Sequence, residues 1–360
     1  MMNALVTRYL NIRTGTPELL PDNNPGFLKP NDVVKIVDTV LGQEYKGNAI
    51  WHKLEDGSFV WSGALDARIL ETTLDWWHTS YRFADTWKAL NTLGEHARIA
   101  VIDSGVDLSH PFLDKKLIFG MSTGEPVTDF SDEYGHGTEV TSVICGNRVN
   151  AFGAAPMCPV FMIKVTNTGT MTPEQLMQGL AAIPAGIDIV NISQTLRHTD
   201  QLHHELGLYF QAHPDKVFVC GAGNDGHAQV YDNLPAAASK DFPHVISVAG
   251  LNKQGEASTY FSCKSNYLTL AAPGEEIMTM NKYDPSKLYP SSGTSLATPI
   301  VSALLALGRS YLVKQNKFNG MDPVTKALCT SIRSVEPPQK ELYGAGIIDP
   351  GAFVETLQKL

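Results

Sequence analysis

From residue 97 onward, short β-rich runs alternate with helix-like segments, and this alternation limits the possible folds more than any other feature. The runs "ARIAVIDSG", "VFMIKV", "DIVNIS", "KVFVCGAGN" and "HVISVAG" are separated by "GTEVTSVICG", "EQLMQGLAAI" and residues 200–213. Strands alternating with helices imply an α/β fold with a parallel sheet covered by helices on both faces. A chain of 360 residues, 43% apolar and 18% charged, has the material for a sizeable core and for two domains, or one domain with an appendage.

The first 65 residues do not share this rhythm and read as a small all-β, barrel-like domain. "DVVKIVD" and "AIWHKL" are short β-type runs, and "SFVWSG" follows the second after Asp56-Gly57. Asp-Gly between two such runs signals a hairpin, because both residues tolerate positive φ in a tight turn. The succession "YLNIRTGTPE", "FLKPNDVVKIVD", "IWHKLEDGSFVWSG" resembles a bacterial Src-homology-3-type barrel over about 60 residues. Residues 66–95 are a helix-leaning connector whose Trp76, Trp77 and Trp87 are expected to pack it onto the domain at 96–360.

A net charge of −9, without a run of Lys or Arg, argues against nucleic acid as a partner. The start of the chain lacks the basic-then-apolar pattern of a secretion signal, and no stretch approaches 18 consecutive apolar residues, so no membrane partner is expected. Five scattered cysteines without CxxC spacing read as reduced thiols. Together these place the chain in the cytoplasm, unless a leader has been trimmed.

Four polar residues stand out, each with an ordinary structural explanation beside the chemical one. Asp103 ends the apolar run "RIAVI", where ligands gather at strand carboxyl ends but where turn-forming Asp is also common. His136 lies between glycines in "DEYGHGTEV", a proton carrier with room around it, or a plain loop residue. Asn224, in "VCGAGNDG", is either a turn residue or an amide donor aimed at negative charge. Ser295 heads an apolar helix at 295–307, either as a cap or as a nucleophile backed by helix-start amides and the helix dipole.

Taken together, Asp, His, Asn and Ser follow one another at spacings of 33, 88 and 71 residues. Asp before His before Ser is the subtilisin order of a serine triad. From about 95 to the end, the chain resembles the subtilisin-like serine protease family. The resemblance rests on "IAVIDSGVDLSHPFL", "YGHGTEVTSVICG", "GAGNDG", "VISVAG", "LAAPGEEI", "GTSLATPIVSALLAL" and "YGAGIIDPGAF", in family order. It implies a serine endopeptidase with Ser295 as nucleophile, His136 as base and then acid, and Asp103 orienting the imidazole. Asn224 and the Ser295 N–H would bind the oxyanion, protein or peptide would be the substrate, and no cofactor would be required.

The resemblance also implies a substrate pocket with Ser193, Gln194 and Thr195 along one edge, and with Gly221, Ala222 and Gly223 among the residues that bind substrate. Asp225 and Asn233 would lie nearby, and Thr195 would narrow the wall. Asp225 together with Asp232 suggests a preference for a cationic side chain before the scissile bond, unless both are solvated loop acids. Four departures from the family pattern carry their own expectations. Glu139 stands where the family usually has His, and would raise the His136 pKa if it faced inward rather than outward or into a hydrogen bond. Leu296 replaces Met after the nucleophile. Phe112 replaces a calcium-binding Asp, and "GNRVNAFGAAP" is short for the family's calcium loop, so the strong calcium site is expected to be missing and no metal ligands are assigned. The N-terminal region, unlike a family prodomain, is expected to govern access or to bind a ligand or regulator. Two other classes fit the same stretches: an acyl transferase or peptide macrocyclase, and a catalytically silent binding protein.

Overall fold

The computed structural model describes residues 2–30, 32–66, 74–110, 113–148, 151–227, 231–280 and 287–360. The N-terminal part is an all-antiparallel seven-stranded sheet. Across it run Gly26–Leu28, Leu10–Arg13, Phe59–Trp61, Asn48–Leu54, Val33–Tyr45, Met2–Val6 and Leu65–Asp66. The Asp56-Gly57 hairpin forms as expected, with Gly57 at φ 84 and the Asp56 carboxylate accepting from the Ser58 N–H at 2.9 Å. A second hairpin turns at Lys46-Gly47, both at positive φ. It lets the strand begun in "DVVKIVD" run on to Tyr45. Ala4, Val6, Leu10, Val34, Ile36, Leu54, Val60 and Ala64 fill a small core of its own.

The connector holds two short helices, Trp76–Ser80 and Phe83–Leu90. Its tryptophans pack as expected: Trp77 and Trp87 are buried, and Trp87 Nε1 donates to the Ala154 carbonyl at 2.8 Å. Trp76 Nε1 donates to the Glu275 carbonyl at 3.1 Å, and Asp75 accepts from the Met278 N–H at 2.7 Å. Both contacts fall on the chain around an antiparallel pair of strands, Ile277–Met280 and Leu288–Ser291.

The larger sheet is parallel throughout. Its order is Leu270–Pro273, Val245–Leu251, Val217–Gly221, Ile189–Ile192, Ile99–Asp103, Val160–Lys164, Ile118–Ser122. Along Ile99–Asp103 successive side chains enter different cores, Ile99 and Val101 on one face, Ala100 and Ile102 on the other. The first face is covered by helices His136–Cys145 and Thr294–Lys314, the second by Pro173–Ala181 and Asp200–Ala212. Burial on both faces is why these strands read as unbroken apolar runs. Local signals set the helix starts: Thr172 and Gln175 exchange backbone bonds in a capping box, with Pro173 at the first turn.

Helix Thr294–Lys314 is long and apolar enough by length and composition to cross a membrane, yet 83% of its apolar window is buried in this fold. It is the central core helix. Leu296, Ala297, Ile300, Val301 and Leu304 lie in the core, and each large aliphatic side chain fully buried there contributes about 1.5–3 kcal/mol. The architecture expected from the alternating runs, a helix-flanked parallel sheet behind a small β region, is the one observed.

Candidate active site

Asp103 is the last residue of a central strand and is fully buried. Its Oδ1 accepts from the Ser104 N–H at 2.7 Å and from Gln194 Nε2 at 3.3 Å. His136 Nδ1 lies 2.8 Å from Oδ1 and 3.0 Å from Oδ2. The imidazole opens helix His136–Cys145, and the flanking glycines have separate reasons to be there. Gly135 caps the helix at φ 114, a conformation side chains rarely adopt. A Cβ on Gly137 would fall 2.1 Å from the Gly105 carbonyl oxygen, so only glycine lets the helix start touch the turn after Asp103.

One residue the sequence reading missed ties these turns together. Asp132, nearly buried, accepts from the N–H groups of Gly135 at 2.7 Å and Thr138 at 2.9 Å, and from the hydroxyls of Thr138 at 2.6 Å and Ser104 at 3.0 Å. Ser104 Oγ in turn accepts from the Gly137 N–H at 3.0 Å. A carboxylate thus satisfies amides that a helix start leaves open. The only signal in the chain was an Asp four residues ahead of Gly-flanked His136.

The electrostatics favour a charged imidazole. Burial alone would lower the His136 pKa, but the hydrogen-bonded Asp103 carboxylate, with Glu139 and Asp132 behind it, outweighs burial and pushes it up to about 9. Glu139 is half-buried and is itself raised above the usual carboxylate range by desolvation, with the His136 charge pulling the other way. The Tyr289 hydroxyl donates to its carboxylate. Glu139 is therefore hydrogen-bonded and also felt by the imidazole.

Ser295 is the second residue of its helix and half-exposed. Its Oγ donates to the Ser193 carbonyl at 2.9 Å, while Ser193 Oγ donates to the Ser295 carbonyl at 2.8 Å. Asn191 and Ser302 continue this chain into the core, each link at 2.9 Å. Among the described residues no hydrogen bond joins Ser295 to His136. Asn224 is exposed at its tip, yet its Oδ1 accepts both the N–H (2.9 Å) and the hydroxyl (3.0 Å) of Thr294. That fixes the amide with Nδ2 as a donor beside the start of the Ser295 helix. A Cβ on Gly293 would come within 3.3 Å of this nitrogen, so glycine there leaves it open.

The remaining expected residues divide. Gly221, Ala222 and Gly223 are buried beside the helix start, Gly223 donating its N–H to Thr294 Oγ1 at 3.2 Å. Thr195 is exposed. Gln194 Nε2 donates to Asp103 at 3.3 Å, and its Oε1 is buried without a hydrogen-bond partner. Arg197, which the sequence reading passed over, forks onto Asp225 at 2.6 and 3.1 Å, and Lys240 lies 3.2 Å from Asp232. Both carboxylates already hold a cation of this chain. Asn233 is buried and donates to Asp225 at 2.7 Å. Leu296 is a core residue, and burial pushes the Cys145 thiol up to about 12 and the Cys220 thiol higher still. Phe112, with Val149 and Asn150 of the shortened loop, lies outside the described residues. No group of three or more metal-ligating side chains occurs among the described residues.

Comparison with known proteins defines the class. The Subtilase family model matches residues 94–346, and the chain belongs to that family. Its named relatives are serine proteases, hence hydrolases that act on protein or peptide. An intracellular serine protease of Paenibacillus polymyxa is 33% identical over 231 residues, covering 60% of this chain and 67% of its own length. The major intracellular serine protease of Bacillus subtilis (strain 168) is 32% identical over 281 residues, covering 74% and 85%. Among solved structures, the prenylagaramide maturation protease PagA superposes with a TM-score of 0.62 at 25% identity, over 76% of this chain and 98% of that one.

Proposed function

We propose that the chain is a serine endopeptidase working through Asp103, His136 and Ser295, with Asn224 Nδ2 and the Ser295 N–H as oxyanion donors. The observation that carries this reading is a pair of fixed groups at the carboxyl ends of two interior strands of the parallel sheet. Asp103 holds the His136 imidazole at 2.8 Å, and Thr294 clamps Asn224 beside the part-exposed start of the Ser295 helix.

In this mechanism the Ser295 hydroxyl swings off the Ser193 carbonyl toward the imidazole. Oγ adds to the peptide carbonyl carbon as His136 Nε2 takes its proton, and the oxyanion sits between Asn224 Nδ2 and the helix-start amide. His136 then gives the proton to the leaving amine. Water repeats the sequence on the acyl-enzyme and restores Ser295. Asp103 holds Nδ1–H throughout, so that Nε2 stays the acceptor. The steps use side chains, the helix-start amide and water, and a strong structural calcium site is not part of the proposal.

We place the chain's domains at 1–65, 66–95 and 96–360. The Src-homology-3-like reading of the first is supported by three features: the meander through Val33–Tyr45, Asn48–Leu54 and Phe59–Trp61, the 3-10 turn at Ser62–Ala64, and the return of Leu65–Asp66 beside Met2–Val6. Its role would be to bring substrate or a regulator to the catalytic part. A cytoplasmic location is supported by the likeness to two intracellular serine proteases and by five unbridged cysteines.

A fluorophosphonate probe tests the reading directly. It is expected to add to Ser295, found by peptide mass mapping, and unlabelled protein is expected to convert peptides to linear products that gain one water. Absence of labelling ends the catalytic reading, and a cyclised product would make the chain a transferase.

The rate also has an expected pH dependence. His136 accepts a proton only when neutral, so kcat/KM should rise with pH toward about 9. Glu139→Gln removes a negative charge that supports the imidazolium, and should move this acid limb to lower pH. The stability sign is the opposite: the raised pKa stabilises the fold fully below about 6.5, and that contribution fades as pH climbs through about 9. A pH–rate profile unmoved in the Gln variant would show that Glu139 is electrostatically idle.

A further inference from the structure

Two segments touch the turn at Ser295 from different sides. Ser193 contacts Ser295 itself, while Gly223 and Asn224 contact Thr294. On the peptidase reading, the side chain before the scissile bond of a peptide held at Ser295 enters the space between segments 193–195 and 221–225. A few residues further on, the two walls are joined. Leu196–Arg197 pairs antiparallel with Asn233–Leu234, Leu196 opposite Leu234 and Arg197 opposite Asn233.

From this join Arg197 reaches back to the residue after the oxyanion Asn. Its Nη2 lies 2.6 Å from Asp225 Oδ1 and its Nη1 3.1 Å from Oδ2, a two-pronged fork. Nη1 also donates to Asn233 Oδ1 at 3.1 Å, and the guanidinium lies 3.7 Å from the centre of the Tyr231 ring. Asp225 Oδ2 accepts a further bond from Asn233 Nδ2 at 2.7 Å, and that amide also donates to the Ala222 carbonyl at 3.1 Å. The Asp225 carboxylate is thus served by three donated bonds, two of them from a cation fixed by aromatic stacking and by strand pairing.

We propose that Arg197 is a specificity-determining residue: by occupying Asp225 it excludes Lys and Arg from the position before the scissile bond and reserves that position for uncharged side chains. The proposal rests on the peptidase reading above. Its physical basis is competition. A substrate guanidinium or ammonium entering this space meets a carboxylate already neutralised in the favoured bidentate geometry, and meets the Arg197 charge beside it. Discrimination of this kind works by a repulsive element, not by a better fit for the chosen substrate.

The test uses the full chain and two peptidyl diphenyl phosphonates that differ only in the side chain next to phosphorus, one guanidinium-bearing and one neutral and of similar length. The rate of Ser295 phosphonylation is read by intact mass. The unaltered chain should favour the neutral probe. Arg197→Ala should raise the cationic-to-neutral rate ratio at least tenfold, with the gain shrinking as salt is added. Arg197→Ala combined with Asp225→Asn should return the ratio to its starting value, and Arg197→Lys, which keeps the charge but loses the fork, should fall between. An unchanged ratio in Arg197→Ala, an equal loss for both probes, or a cationic preference in the unaltered chain overturns the proposal. If Arg197→Ala does not fold, the Lys variant decides: a ratio equal to the starting one counts against the fork. Labelling by neither probe in the unaltered chain overturns the peptidase reading itself.

Discussion

Replacing Ser295 with alanine is expected to cut kcat by about 10⁶-fold, a size carried over from triad deletions in subtilisin, a member of the same family. The loss is that large because triad members act as a unit, and neither the imidazole nor the oxyanion donors can supply a nucleophile. Stability should hardly change. The hydroxyl makes one protein hydrogen bond, to the Ser193 carbonyl, and such a bond contributes about 0.5–1.5 kcal/mol. The Ser193 hydroxyl keeps its own bond to the Ser295 carbonyl. Single-turnover kinetics beside a thermal melt separate the two effects. Activity within tenfold of the unaltered chain, in a folded variant, would remove Ser295 from the mechanism.

Asp103→Asn should lower kcat on the order of 10⁴-fold with the fold retained. Asp103 is an acceptor for three donors, from His136, Ser104 and Gln194. An amide has one oxygen and one NH₂, and turning the NH₂ toward Nδ1 makes that nitrogen the acceptor. The proton then sits on Nε2, where it cannot receive one from Ser295. The same change removes the strongest support of the imidazolium, so the acid limb of the pH profile should move down along with the fall in rate. Loss of rate without movement of the limb would mean that Asp103 orients the ring without governing its charge.

What the chain's letters reveal is mostly local or periodic. The parallel sheet follows from runs such as Ile99–Ile102 being apolar on both faces, and the Asp56-Gly57 turn from a two-residue conformational preference. The Asp103, His136, Asn224 and Ser295 positions are legible because glycines crowd each of them. The hidden part consists of side chains whose direction is set by another segment. Gln194 reads as a pocket edge, and nothing local announces that its amide donates to Asp103, 91 positions away. Arg197 finds Asp225 only because a two-residue strand pair brings distant loops together. Asp132 looks like one of several loop acids until the helix start folds around it. The Ser295 hydroxyl, drawn to a nearby carbonyl, rests away from the imidazole that its sequence context assigns it.

The connector's grip on the strand pair before Ser295 falls on main-chain atoms, the carbonyl of Glu275 and the N–H of Met278. Such a grip is blind to side-chain identity. Positions 275 and 278 can drift through many substitutions without loosening it, whereas Asp75 and Trp76 cannot. Evolution can thus remodel the strand pair that leads into the nucleophile while the strap across it stays fastened.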